Sequence, residues 1–228
     1  QAFAQVAREF AQGEFAPNAA RWDQECIFPV DAFKRAGALG FCGLYAPVEM
    51  GGLGLSRLDA SIVFEELAAV DPSTTAFLTI HNMATWMVGT WGSQALLAQW
   101  GADLASGQKL VSYCLTEPDA GSDAASIKTT AQLQGQHYVL NGAKAFISGA
   151  GETQLLVVMA RTGSSGAGGI SAFAVAADSP GISFGRKELK MGWNSQSTRA
   201  ITFDHVKVPA HCLLCLLYTS DAADDTPC

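Results

Sequence analysis

The sequence predicts an α+β, multidomain chain: an all-α domain over residues 1–110, then an antiparallel β-barrel or sandwich over residues 111–211. Three observations predict it. Apolar residues recur at helical spacing as far as about Leu110. Beyond that point the pattern breaks into short runs rich in Val, Ile, Thr and aromatic residues. Turn-forming residues separate those runs, and helices first with strands afterwards implies two packed units rather than a βαβ alternation.

In the first half, Phe3, Val6 and Phe10 share one face of a helix that ends by Pro17. Pro29 stands where another helix starts and Gly40 where it closes. Gly51, Gly52 and Gly54 suit a tight turn between helices. Ser56 and Asp59 have capping-box spacing, with Asp in place of Glu, ahead of a stripe of Leu58, Ile62, Val63, Leu67 and Val70. Ser73 to Trp91 is apolar nearly all round, as a central packed helix would be. Ser93 is placed to cap a further helix through Leu96, Leu97 and Trp100.

In the second half, "LVSYCL", "TTAQL", "HYVL", "KAFIS", "LLVVMAR", "SAFAVA", "GISF" and "AITFDHV" read as strands. Gly135-Gln136, Asn141-Gly142, the Gly-rich 163–169 and Pro180-Gly181 read as the turns between them. The 163–169 segment superficially matches a dinucleotide-binding fingerprint, but a strand follows it rather than a helix, so a Rossmann reading fails. No internal repeat is visible.

The 228 residues suffice for a sizeable core, and 49% hydrophobic with 15% charged residues is an ordinary globular balance. Net charge is -7 with Lys and Arg scattered, which argues against nucleic acid or an anionic membrane as the main partner. The longest apolar runs, such as "LLVVMA", are too short to span a bilayer. No secretory or transit segment is visible, and the chain starts in mid-pattern at Gln1, which leaves room for one upstream. Six cysteines at 26, 42, 114, 212, 215 and 228 follow no framework spacing and are expected as buried or free thiols. Cys212 and Cys215 form C-x-x-C with no second pair or His doublet nearby, so no metal site is expected. From residue 212 the pattern changes to "CLLCLLYTSDAADDTPC", which reads as a non-native tail over 212–228.

Two segments hold the candidate site. In "YCLTEPDAGSD" (113–123), Thr116 offers a hydroxyl, Pro118 stiffens the turn, Gly121 opens the backbone to a ligand, and Ser122 suits a phosphate or carbonyl oxygen. In "KAFISGAG" (144–151), Phe146 offers an aromatic face and Ser148 a hydroxyl. Loops of this kind at strand ends can sandwich a planar heteroaromatic ring, although their composition is also that of surface turns. Glu117 is expected as a structural or solvated carboxylate rather than a base. Glu65 and Glu66 read as one solvated face and one helix–helix contact, and His81 as a satisfied core histidine. Arg199 fits either a fold-stabilising ion pair or a contact to cofactor or substrate. Lys144 and Arg161 read as ordinary exposed strand charges.

These segments, with "GWNSQSTRAITFDHVKVP" (192–209) and the stretch from Trp22 to Ala68, resemble the acyl-CoA dehydrogenase family, in unbroken order over residues 1–211. The resemblance implies FAD as cofactor, walled by Tyr113, Cys114, Leu115, Thr116, Glu117, Pro118, Asp119, Ala120, Gly121 and Ser122 on one side and by Phe146, Ile147 and Ser148 on the other. It puts Thr116 near the pyrimidine edge of the ring, Ser148 toward its N5 region, and Ser122 near the flavin diphosphate and the bound acyl-CoA. Many members have Trp and Thr where this chain has Phe146 and Ser148, which preserves the aromatic face and the hydroxyl. The family's Glu base belongs to a C-terminal helical bundle absent from these residues, so no catalytic residue is assigned here and the chain alone is expected to be inactive. "SIVFEELA", "IHNMATWM" and "KAFISGAGE" are similar to the branch that acts on isobutyryl-CoA in valine degradation, which implies a short-chain acyl-CoA substrate. The resemblance further implies an electron-transfer flavoprotein as electron acceptor, a homotetramer, and either bacterial cytoplasm or mitochondrial matrix. The alternatives are a non-catalytic acyl-CoA or flavin-binding module, another short-chain acyl-CoA dehydrogenase, or a structural or interaction protein built on the same scaffold.

Overall fold

The computed structural model describes residues 2–217. Helix α1 (Ala2–Phe10) runs on through a π-helical turn (Ala11–Phe15) and stops before Pro17. It is followed by α2 (Ala19–Gln24), α3 (Val30–Ala38), α4 (Arg57–Ala68), α5 (Pro72–Trp91) and α6 (Gln94–Ala105). The local signals act as read. Ser56 and Asp59 form a reciprocal capping box at the start of α4. Ser93 caps α6 through Leu96 N at 3.2 Å, and Asp71, not among the caps read from the sequence, caps α5 through Ser73 N at 3.0 Å and Thr74 N at 3.1 Å.

The buried faces differ from the expected ones in two helices. On α1 the core takes Ala7, Phe10 and Ala11, while Phe3 and Val6 stay exposed. On α4 it takes Ala60, Val63 and Leu67 and leaves Leu58 and Ile62 outside. The two helices pack against each other and are joined at the surface by the Arg8–Glu66 ion pair at 2.6 Å. Glu66 is thus the helix–helix contact and Glu65 the solvated one, as the spacing suggested.

Eight strands follow: β1 (Val111–Cys114), β2 (Thr130–Gln134), β3 (His137–Ser148), β4 (Leu155–Arg161), β5 (Ile170–Ala176), β6 (Ile182–Phe184), β7 (Thr198–Pro209) and β8 (Leu213–Leu217). They form one sheet in the order β6-β7-β3-β2-β4-β5-β8, with β1 on β4. Pairing is antiparallel except for β1–β4 and the single β2–β4 pair Thr130–Arg161. Strand β1 arrives from α6 rather than through a hairpin, so no turn forces it antiparallel.

Asn141-Gly142 is not a turn. "HYVL" and "KAFIS" are one strand, β3, and its pairing with β7 slips between Leu140 and Gly142. Gly142 has φ +150°, and a Cβ there would stand 2.4 Å from Thr129 Oγ1, so the glycine marks close backbone approach inside a strand. Residues 213–217, read above as part of the tail, form β8 against β5, and Cys212 and Leu214 are buried. Residues 218–228 lie outside the described residues.

Two apolar cores meet along α5. Phe77 and Leu78 join Phe15, Phe33 and Phe41 in the helical core. Ala84 and Val88, with Leu96 and Leu104 of α6, join Val111, Leu156 and Phe173 in the sheet core. Helix α5 therefore serves both cores, and α6 packs into that of the sheet.

Candidate functional site

The first loop leaves β1 at Cys114. Glu117 and Ala120 exchange backbone hydrogen bonds at 3.0 and 3.1 Å, which pinches a tight turn and puts Pro118 and Asp119 at its exposed tip. Gly121 and Ser122 follow, also exposed, and a Cβ on Gly121 would meet nothing within 4 Å. The fold does not need a glycine there, and the backbone stands open to a ligand.

The anchor of this loop is Glu117. Its carboxylate accepts Lys128 N at 2.6 Å, Thr129 N at 3.0 Å and Lys144 Nζ at 2.8 Å. Lys144 is no exposed strand charge: it is fully buried, and its ammonium also donates to Leu115 O at 3.0 Å. An isolated buried lysine would be costly, and the chain reverses that cost with a carboxylate drawn from a loop remote in sequence. Burial works to raise the Glu117 carboxyl, but hydrogen bonds from Lys144, Thr129 and Lys128 outweigh it and hold its pKa below the ordinary carboxylate range. Glu117 is therefore a structural carboxylate. Asp119 pairs with Lys128 at the surface at 3.1 Å.

The second segment is the end of β3, tied to the first loop by Ala145 N donating to Thr116 O at 2.8 Å. Between Lys144 and Ile147 the pairing with β7 shifts register, and Phe146 takes up the extra residue with φ +57°. Left-handed backbone is unfavourable for a bulky residue, and here it turns the ring outward, leaving it 66% exposed. Ile147 points back into the core. The Ser148 hydroxyl accepts a hydrogen bond from Gln196 Nε2, which leaves its own proton free to donate. The Ser148 carbonyl accepts from Ser112 Oγ at 2.7 Å.

The segment 190–198 between β6 and β7 completes the surroundings, and reading the sequence did not single out its buried members. Lys190 Nζ donates to Trp193 O at 2.7 Å, Gln196 O at 2.6 Å and Thr198 Oγ1 at 2.9 Å, holding the loop in shape. Asn194 reaches Asp23 through its backbone N at 2.7 Å, Ser195 Oγ bonds Ser73 Oγ at 2.5 Å, and Ser197 O accepts Gly149 N at 2.6 Å. The segment thus bolts both α2 and α5 to the end of β3. The available signal was "NSQST", a polar run without a charge, which suits buried and mutually bonded side chains better than solvated ones.

Tyr113 is half-buried and Cys114 fully buried, and burial pushes each up to about 12, so neither is an acid–base or nucleophilic group near neutral pH. Arg199 pairs with Glu152 at 3.6 Å and donates to Gly185 O at 3.3 Å, while its Nε is buried without a partner. Arg161 also departs from its reading. Its guanidinium donates to the carbonyls of Ala125, Ile127, Ser164 and Gly166 at 2.7–3.0 Å and clamps two loops. Among the described residues, no cluster of three or more His, Cys, Asp or Glu could hold a metal, and Cys26, Cys42, Cys114 and Cys212 are free. No described helix is long and apolar enough to cross a membrane.

Comparison with known proteins agrees with this architecture. Residues 1–108 match the acyl-CoA dehydrogenase N-terminal domain and residues 112–206 the acyl-CoA dehydrogenase middle domain. Mitochondrial isobutyryl-CoA dehydrogenase of Bos taurus is 52% identical over 91% of this chain and 50% of its own length. The Dictyostelium discoideum protein of the same name is 50% identical over the same shares. The butyryl-CoA dehydrogenase of Megasphaera elsdenii superposes with a TM-score of 0.88 at 32% identity, over 94% of this chain and 57% of that one. A glutaryl-coenzyme A dehydrogenase in complex with glutaryl-CoA gives 0.90 at 34%, over 96% and 56%. The chain spans about half the length of the relatives it matches. With both domain families matched in order over nearly its whole length, the chain belongs to the acyl-CoA dehydrogenase family.

Proposed function

We propose that this chain is the N-terminal and middle part of an FAD-dependent dehydrogenase that desaturates a short branched acyl-CoA, isobutyryl-CoA first, in valine degradation. The observation that carries the reading is the shelf formed by Phe146 and Ser148: an aromatic ring turned outward by left-handed backbone, beside a hydroxyl whose proton is free to donate.

The residues present fit a flavin. Phe146 supplies a face for stacking, Ser148 and Thr116 supply hydroxyls for a polar ring edge, and the open backbone at Gly121 and Ser122 suits a phosphate. A bound flavin supplies the hydride acceptor. The chain's own residues position the ring, cover one face and keep water from it. The α-proton of a thioester is weakly acidic, so its removal needs a base with a raised pKa and hydrogen bonds to the developing enolate oxygen. Glu117, held ionised against Lys144, is unsuited to that task. The base is assigned to the C-terminal helical bundle that the resemblance implies. The same reading gives an electron-transfer flavoprotein as acceptor, a homotetramer, and the mitochondrial matrix or bacterial cytoplasm as compartment. The identity to isobutyryl-CoA dehydrogenases supports the choice of acyl group.

The test is spectroscopic. The complete protein is expected to be yellow, to bleach anaerobically with isobutyryl-CoA, and to show higher kcat/KM on isobutyryl-CoA than on butyryl- or octanoyl-CoA. A preference for octanoyl-CoA overturns the substrate, and a colourless protein that takes up no FAD overturns the reading altogether.

A further inference from the structure

Lys144 is the buried group that the proposed function leaves unused. It has no exposed surface, lies two residues before Phe146, and touches the first loop at two points, Leu115 O at 3.0 Å and Glu117 Oε1 at 2.8 Å. Glu117 in turn takes the backbone N–H groups of Lys128 and Thr129. One buried cation thus joins the start of the loop that carries Thr116, the acidic anchor of that loop, and the strand whose bulge presents Phe146. Fold stability alone does not account for it, because replacing a buried ion pair with apolar groups of similar volume is often neutral or stabilising.

We infer that Lys144 and Glu117 are the positioning pair of the flavin site: they hold the Thr116 loop against the Phe146 shelf and fix the charge beneath it. The inference rests on the proposed function. In this role neither side chain touches the reacting atoms. Each acts through the loop it holds and through its field, which is little screened in a buried setting.

The test uses the complete protein and three variants: Lys144→Met, Glu117→Gln and the double substitution. FAD affinity, the midpoint potential of the bound flavin and thermal unfolding of the flavin-free protein are measured in each. Lys144→Met leaves an uncompensated carboxylate and lowers the potential. Glu117→Gln leaves an uncompensated ammonium and raises it. Each shift is expected to reach about a tenfold change in preference for reduced over oxidised flavin, or about 30 mV for a two-electron couple. The double variant is free of net charge, but it turns an amide NH2 toward one of the two backbone N–H groups that the carboxylate accepts, so it is expected to fold and to unfold somewhat below the wild-type temperature. It also lacks both lysine ties and is expected to bind FAD at least about tenfold more weakly. If a single variant fails to fold, the double variant still decides. A double variant that binds FAD as tightly as wild type, or folded single variants with the wild-type potential, overturns the inference and leaves a purely structural pair. Wild-type protein that binds no FAD overturns the proposed function itself, and this inference with it.

Discussion

His81 accepts the backbone N–H of Val111 through Nδ1 at 3.2 Å, joining the central helix α5 to the first strand of the sheet. Its Nε2 donates to Leu104 O at 3.0 Å, so both ring nitrogens are used and the imidazole is neutral. Burial lowers its pKa from 6.5 to about 4, against a smaller opposing effect of the Leu104 carbonyl. Between those values the unfolded chain takes up a proton that the folded protein refuses. Stability is complete above about pH 6.5 and falls as the pH drops toward 4, by about 3 kcal/mol from this residue. Urea unfolding of wild type and His81→Gln from pH 7 to 4 checks this. The difference between them is expected to shrink as the pH falls, and a constant difference sinks the assignment.

Ser148→Val is expected to weaken FAD binding. It removes the hydroxyl that accepts from Gln196 Nε2, and Gln196 Oε1 is already buried without a partner. Stranding the whole amide costs about 1–3 kcal/mol, which loosens the segment 190–198 as well as the shelf. Ser148→Thr keeps the hydroxyl and is expected to bind FAD within a few-fold of wild type. Equal FAD dissociation constants for wild type and Ser148→Val would remove Ser148 from the site.

Gly149→Ala tests the junction of the two halves. The residue has φ +76°, and a Cβ would stand 2.4 Å from Phe77 Cε2 and 2.9 Å from Thr153 Cγ2. Its N–H is held by Ser197 O at 2.6 Å, so the backbone cannot move away freely. A loss of at least about 1–3 kcal/mol is expected from overpacking, with the left-handed strain added. An unchanged midpoint in thermal or urea unfolding would show that the junction is looser than its packing implies.

Residues 1–228 expressed alone are expected to show no acyl-CoA-dependent dye reduction after incubation with FAD. General acid–base assistance is typically worth about 10² to 10⁴ in rate, and it needs a carboxylate with a raised pKa. Glu117 is held low by Lys144 and two backbone N–H groups, and Glu152 is shared between Lys187 at 3.3 Å and Arg199 at 3.6 Å. Turnover with isobutyryl-CoA and an artificial acceptor near that of a complete dehydrogenase would place the base within these residues.

What the sequence determined by itself was local. The Ser56–Asp59 box, the Ser93 cap and the all-round apolar α5 depend on neighbours within a turn or two, so residue type and spacing suffice to read them. The loop at 113–123 was legible as a loop for the same reason, since Pro, Gly and small polar residues act on their own backbone. The tertiary structure alone decided everything that needed a partner from elsewhere in the chain. Lys144 looks solvated until Glu117 and Leu115 are folded over it, and the polar run "NSQST" has no partners in view until Asp23 and Ser73 arrive from the helices. Phe3 and Leu58 look like core until the packing of α1 and α4 buries Ala7, Phe10, Ala60, Val63 and Leu67 instead. Asn141-Gly142 looks like a hairpin turn until Thr129 occupies the space a side chain would need. The cost of burying a charge, a polar group or a ring is set by what lies against it, and in each case that neighbour is distant in sequence.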